Sequence, residues 1–193
     1  MDYFIIVVIG FFIGIFPNHF LFEKLFPPDK HENNRIRTLI PILLDLIKGL
    51  LIVFLTKYLL NFDFLNIMLA LIIGTLFHSF FQEFKFQRRE GQTVALAGLS
   101  LFIPLIVLIW IIIWLISFAY KRNKEFSLTS ATFLTGLLGV TSSRIFNNEY
   151  WYSNPLAHSN NEFKILITIL FILILSSQID KIKAFYFKDK SKG

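Results

Sequence analysis

Two residues of opposite charge, Asp45 and Lys48, stand three apart inside an otherwise apolar run. On a helix that spacing puts both side chains on one face, where they can pair. A charge in lipid is expensive unless it is paired, so such residues either hold helices together or serve a reaction. The spacing alone leaves both roles open. His78 lies near the end of the next apolar run. An imidazole there suits acid–base chemistry or a hydrogen bond to a neighbouring helix. The segment Phe84-Lys85-Phe86-Gln87-Arg88-Arg89-Glu90-Gly91-Gln92-Thr93 carries Arg88 and Arg89 into a helix start. Guanidinium forks and helix N-terminal amides both suit phosphate. A basic loop lying against anionic lipid uses the same residues. His19, His31 and His158 show no metal-site spacing and the chain has no Cys, so neither a metal nor another cofactor is expected.

The elements that must position these residues are membrane helices. The chain has 193 residues, of which 55 % are hydrophobic and only 17 % charged, with a mean hydropathy of +0.63. Its apolar residues come in long blocks rather than in the single stripe of a soluble amphipathic helix, so the helices are apolar nearly all round. A span needs about 20 such residues. The expected helices run over 3–22, 39–60, 65–81, 93–102, 104–118, 128–140 and 163–179. They form one membrane domain over 1–193, ending in a basic tail, 180–193. The first block lacks a basic n-region and a small-residue cleavage site, and reads as a retained helix rather than a signal peptide.

Between Thr93 and Tyr120 no charge appears, and Pro104 sits in the middle of that stretch. Proline removes a helix hydrogen bond and clashes with the preceding turn, which permits a break there. The placement of Lys and Arg decides whether the break is used, because short cytoplasmic loops carry an excess of them. With a reversal at Pro104, the loops 24–37, 85–89 and 121–124 and the tail fall on one side and collect fifteen basic residues. Lys57, Arg144 and Lys164 remain on the other. Without the reversal the same residues divide nine and nine. The expected fold is therefore all-α: a polytopic transmembrane bundle of about seven helical elements, one of them short. Its N-terminus is outside and its C-terminus cytoplasmic. Tyr150, Trp151 and Tyr152 then fall in an external loop, 141–162, at headgroup level.

The net charge of +6 is accounted for by these loops and by contact with lipid headgroups. Nucleic acid is not an expected partner, since the basic residues form no stripe with interleaved aromatics. No repeat relates the two halves as in many transporters.

The order of motifs resembles the bacterial acyl-phosphate:glycerol-3-phosphate acyltransferases, the PlsY-type membrane enzymes. Gly14-Ile15-Phe16-Pro17 followed by Glu23-Lys24-Leu25 is similar to the family's Gly-Ser-Ile-Pro opening and the Lys after it. Leu44-Asp45-Leu46-Ile47-Lys48-Gly49 resembles its Leu-Asp-Leu-Leu-Lys-Gly. Gly74 to Phe80, with His78, is similar to the helix that ends in Gly-His-x-Phe-Pro. Lys121 to Ser130 resembles the family's basic turn and its Ser-Leu-Ala-Ser, here Ser127-Leu128-Thr129-Ser130. The likeness runs from about residue 6 to residue 140.

The resemblance implies a protein of the bacterial cytoplasmic membrane, handling acyl phosphate and glycerol 3-phosphate among membrane lipids. It implies catalysis by positioning and electrostatic stabilisation, with neither metal nor covalent intermediate. On these positions His78 would orient or relay a proton, and Arg88, Arg89 and Gly91 would hold phosphate. Lys48 and Asp45, with Ser127 and Ser130, would support the site. The chain departs from the family between its first two helices, where the glycine-rich loop is replaced by a short segment without those glycines. It departs again at 86–91, where Gln87 and Glu90 replace lysines and Arg88 and Arg89 replace glycines. Glycines let backbone amides approach a phosphate, and Glu for Lys reverses the local charge. The family's C-terminal His and Asn find no match around Ser176 to Asp180. These departures imply transfer activity that is reduced or lost. The alternative is a catalytically inactive relative that binds lipid or a partner membrane protein.

Overall fold

The computed structural model describes residues 2–16, 34–82, 85–86, 91–148, 155–179 and 183. In chain order its elements are α1 (Asp2–Ile15) and α2 (Asn34–Val53), the latter running into a π-helical stretch, Phe54–Leu59. There follow α3 (Phe64–Phe80), an antiparallel pair of two-residue strands β1 (Phe81–Gln82) and β2 (Lys85–Phe86), and α4 (Gln92–Phe102). The last helices are α5 (Pro104–Lys121), α6 (Lys124–Thr141), the single turn α7 (Ser143–Phe146) and α8 (Asn160–Ser177). Apart from that small strand pair the described protein is all-helical. Leu39–Leu59, Pro104–Lys121 and Asn160–Ser177 are each long and apolar enough to cross a membrane. The expected continuation of the first helix to residue 22 lies outside the described residues. So do the aromatic trio Tyr150 to Tyr152 and all of the tail except Lys183.

Capping sets several helix ends that hydropathy places elsewhere. The structure starts α6 at Lys124, inside the charged segment, because the Asn123 side chain accepts a hydrogen bond from the Phe126 amide at 3.0 Å. Helix α8 starts at Asn160, capped by Ser159 with Glu162 reaching back past it. There the Ser159 hydroxyl accepts from the Glu162 amide at 3.1 Å, and a Glu162 carboxylate oxygen accepts from the His158 amide at 3.1 Å. Between α4 and α5 the chain breaks at Ile103 (φ −136°, ψ 70°), and Pro104 takes the first helical position, where its missing N–H costs nothing. The break leaves carbonyls of α4 without their helical donors. Lys57, on the π-helical stretch of α2, donates to one of them, the Leu101 oxygen, at 3.1 Å.

Helices in lipid gain little from the hydrophobic effect between them and associate where small residues let backbones meet. Helix α1 meets α3 at Gly10 and Gly14. A Cβ on Gly14 would lie 2.5 Å from the Gly74 carbonyl oxygen. Helix α2 meets α4 at Gly49, where a Cβ would overlap the Val94 carbonyl oxygen and approach the Gly98 amide to 2.9 Å. Around these crossings lies a core of fully buried side chains. In it the ring of Phe64 packs between Phe102 (centroids 5.0 Å) and Phe163 (5.6 Å) and so joins α3, α4 and α8. Helix α5, by contrast, buries only Ile106. Its uncovered Leu108, Ile111, Ile112, Leu115 and Ile116 present an apolar surface fit for lipid.

The Gly49 crossing is tight enough for one methyl group to matter. Gly49→Ala is expected to destabilise the fold by about 1–3 kcal/mol through overpacking. Thermal unfolding in detergent should show the loss, and an unchanged midpoint would contradict the close α2–α4 approach.

Candidate functional site

Asp45 and Lys48 lie one turn apart on α2, and α3 brings His78 between them. The Lys48 ammonium is 3.5 Å from His78 Nδ1, and His78 Nε2 is 3.5 Å from an Asp45 carboxylate oxygen. Lys48 and His78 are buried, and the Asp45 side chain is 19 % exposed. An ammonium can only donate, so Nδ1 is the acceptor. The proton of a neutral ring then sits on Nε2, facing the carboxylate. Acid, base and relay are thus aligned across two helices.

Lys48 does a second thing. It donates to the Phe16 carbonyl oxygen at 2.6 Å and reaches the Gly14 oxygen at 3.5 Å. These carbonyls are at the end of α1, where helix acceptors lack amide donors and the macrodipole favours a cation. The same ammonium therefore fastens α1 to α2 and faces the imidazole.

Gly91 immediately precedes α4 and lies on the turn of α3 that carries His78. A Cβ there would overlap the Ser79 hydroxyl and come within 2.8 Å of Thr75 Cγ2. Thr75 and Ser79 are fully buried, and among the described residues their hydroxyls have no hydrogen-bond partner. Two buried hydroxyls beside a helix start make a polar spot on the α3 turn that carries His78, capable of donating to an anionic oxygen.

A second polar layer ties the start of α4 to the far end of the chain. The Gln178 amide nitrogen, just past α8, donates to the Gln92 side-chain oxygen at 2.5 Å. The Thr129 hydroxyl on α6 stands 3.5 Å from the Gln178 side-chain oxygen. Gln92 and Gln178 are both buried. Their bond fixes the first turn of α4, and with it Gly91.

Of the residues singled out in the sequence, the structure brings Asp45, Lys48 and His78 into contact and sets Gly91 against the His78 turn. Ser127 and Ser130 are on α6, which packs on α5 and α8. Ser127 is buried and gives its hydroxyl to the Asn123 carbonyl at 2.7 Å, inside its own helix. Arg88 and Arg89 lie outside the described residues. Thr75, Ser79, Gln92 and Thr129 stand inside motifs quoted above without a role of their own, and Gln178 stands in none of them. The available signal was polar side chains inside or bordering greasy helices, which for hydroxyls and amides is weak. Among the described residues no three His, Asp or Glu side chains converge as a metal site would need.

Removing one partner of the buried amide pair should cost more than removing both. Gln178→Leu is expected to lower stability by about 1–3 kcal/mol by stranding the Gln92 oxygen, with Gln92→Leu/Gln178→Leu recovering part of that loss. Additive losses in a thermal-unfolding cycle would show that the two amides do not act together.

A family model described as glycerol-3-phosphate acyltransferase matches residues 4–185. Two solved structures share the fold. One is the crystal structure of PlsY (YgiH), an integral membrane glycerol 3-phosphate acyltransferase, in its lysophosphatidic acid form. Its TM-score is 0.73 at 17 % identity, over 96 % of this chain and 92 % of that one. The other is the glycerol 3-phosphate form of PlsY, with a TM-score of 0.72 at 16 % identity over the same shares. No curated protein sequence matches the chain.

Proposed function

Because the chain belongs to the glycerol-3-phosphate acyltransferase family, we propose that it transfers a long acyl chain from acyl phosphate to glycerol 3-phosphate, more slowly than the family's pattern would allow. The observation that carries this is the aligned, protein-enclosed set Lys48, His78 and Asp45, beside Gly91 at the start of α4. In the reaction the glycerol hydroxyl oxygen bonds to the acyl carbon, the acyl–phosphate bond breaks, and the hydroxyl proton and a phosphate leave. His78, held between a carboxylate and an ammonium, orients the acceptor or relays that proton. Lys48, Arg88 and Arg89 supply positive charge for the phosphates, and the amides at Gly91 with the hydroxyls of Thr75 and Ser79 supply donors. Asp45 holds the ring. Ser127 and Ser130 act at one remove, through α6. Slowing follows from Glu90 and Gln87, where the family's pattern has lysines. A carboxylate there repels both phosphorylated substrates.

The same two positions favour a second reading, a non-catalytic relative that holds lipid or a membrane-protein partner. Under either reading the side bearing the basic loops and the tail is the cytoplasmic one, in a bacterial cytoplasmic membrane. A cysteine placed at Phe185 should react with a membrane-impermeant maleimide only after the cells are opened, and labelling of intact cells would reverse this orientation.

Purified protein given palmitoyl phosphate and labelled glycerol 3-phosphate should form lysophosphatidate. His78→Ala is expected to cut the rate by about 10²-fold or more, the usual weight of one acid–base group. Glu90→Lys should raise kcat/KM. Failure to form product above a blank, together with co-purification of a stoichiometric membrane partner, would favour the second reading.

A further inference from the structure

We propose that the end of α5 binds one anionic phospholipid, with its phosphate held by Lys121, Arg122 and Lys124 and its acyl chains laid along the uncovered face of that helix. Such a site stands apart from the acyl-transfer reading, because α5 contributes none of the residues of the candidate site. Leu108, Ile111, Ile112, Leu115 and Ile116 are each between 46 % and 64 % uncovered by protein. They recur at i, i+3, i+4, i+7 and i+8 and so make one face. From Leu108 to Ile116 that face is roughly 12 Å long at 1.5 Å per residue, close to the depth of one leaflet, about half of a 30 Å hydrocarbon core. No charge appears from Thr93 to Tyr120. Charge begins only where the helix ends, with Lys121, Arg122 and Lys124 inside four positions.

All three cations are exposed, and among the described residues none of them pairs with a carboxylate. The Lys121 ammonium stands 5.5 Å over the ring of Tyr120, which is 78 % exposed, as suits an aromatic side chain at headgroup level. Arg122 closes α5 in the left-handed region (φ 47°, ψ 29°), where its amide donates to the Phe118 carbonyl oxygen at 2.8 Å. That cap position is usually a glycine, which has no Cβ to clash. An arginine there takes a less easy backbone and puts a guanidinium fork at the end of the helix. Leu108, Leu115 and Arg122 recur every seven residues, so Arg122 lies in line with the apolar face.

The fork and the two ammonium groups suit a phosphate anion, and the apolar face running up to them suits a phosphate that carries acyl chains. Free phosphate would gain only from exposed cations, which salt screens. A zwitterionic lipid brings its own cation to a basic turn. An anionic phospholipid gains from the charge and from the face together.

The test is native mass spectrometry of the full-length protein in detergent supplemented with dioleoyl phosphatidylglycerol or dioleoyl phosphatidylcholine. One phosphatidylglycerol should stay bound to each chain under conditions that strip phosphatidylcholine. Arg122→Gly, which eases the backbone while removing the guanidinium, should lower that retention about fivefold and leave the thermal midpoint unchanged. Lys121→Gln/Arg122→Gly/Lys124→Gln should lower it about 10²-fold, at about fivefold for each basic residue. Lys188→Gln/Lys190→Gln/Lys192→Gln takes the same charge from the tail and should leave retention unchanged. A phosphatidylglycerol bearing a diazirine at mid-chain should form adducts within residues 108–116. Equal retention of the two lipids, retention of neither, an equal loss in the tail variant, displacement by millimolar inorganic phosphate, or adducts only outside α5 would each overturn the proposal.

Discussion

Within a bilayer a backbone carbonyl without a donor has no water to turn to, and this chain interrupts helices at places where that matters. Helix α1 stops at Ile15, and α4 stops at Phe102, two residues before Pro104. The last carbonyls of each have no donor inside their own helix. Both are met from α2, by lysines nine positions apart. Lys48 reaches the carbonyls of Gly14 and Phe16, and Lys57 reaches that of Leu101. Each ammonium sits where a helix macrodipole is negative, so cation and helix end compensate each other. Helix α2 is thereby the member to which both interrupted helices are pinned.

That arrangement gives the candidate site at the α2–α3 contact a fixed frame. A catalytic group must be held by elements that do not slide, and α2 is held on two sides: against α4 at Gly49 and against α3 at Gly74, where a Cβ would overlap the Ile52 side chain. The lysine that pins α1 is also the one facing His78. One ammonium thus couples the position of the first helix to the orientation of the imidazole, and movement of α1 would be felt at the ring. The amide bond from Gln178 to Gln92 does the corresponding work for α4 without placing charge there.

Asp45 and Lys48 are conspicuous in the sequence because charges in a greasy run demand an explanation, and a three-residue spacing is a local property. Their partner His78 is thirty residues from Lys48, on another helix, and no spacing rule connects them. The basic residues outside the helices indicate a reversal near Pro104, and the structure breaks the helix at Ile103. Lys57 reads in the sequence as one of a few loop cations, yet its ammonium turns back to a carbonyl, because the π-helical stretch after Val53 keeps it within reach. Helix starts were harder to see. Hydropathy finds the first apolar residue, whereas the helix begins at its cap, and Asn123 and Ser159 place α6 and α8 a few residues earlier. Thr75, Ser79 and Gln178 were invisible for a different reason. Hydroxyls in membrane helices commonly bond back to their own turn, as Thr56 and Thr132 do here, so a hydroxyl alone marks nothing. Only the close approach of Gly91 distinguishes Thr75 and Ser79.

The departures read in the sequence fall in the connection after the first helix, at 86–91 and around Ser176 to Asp180, whereas Gly49, Gly74 and Lys48 stand in the motifs that resemble the family's. Packing explains the asymmetry. Gly49, Gly74 and Lys48 each serve the fold as well as any reaction, and replacing one would open a helix contact or strand a carbonyl in lipid. Gln87 and Glu90 belong to a polar segment between two apolar runs. Such a segment can change its charge while the bundle stays the same. The scaffold and the Lys48–His78–Asp45 line can therefore persist through a change in what the polar face attracts.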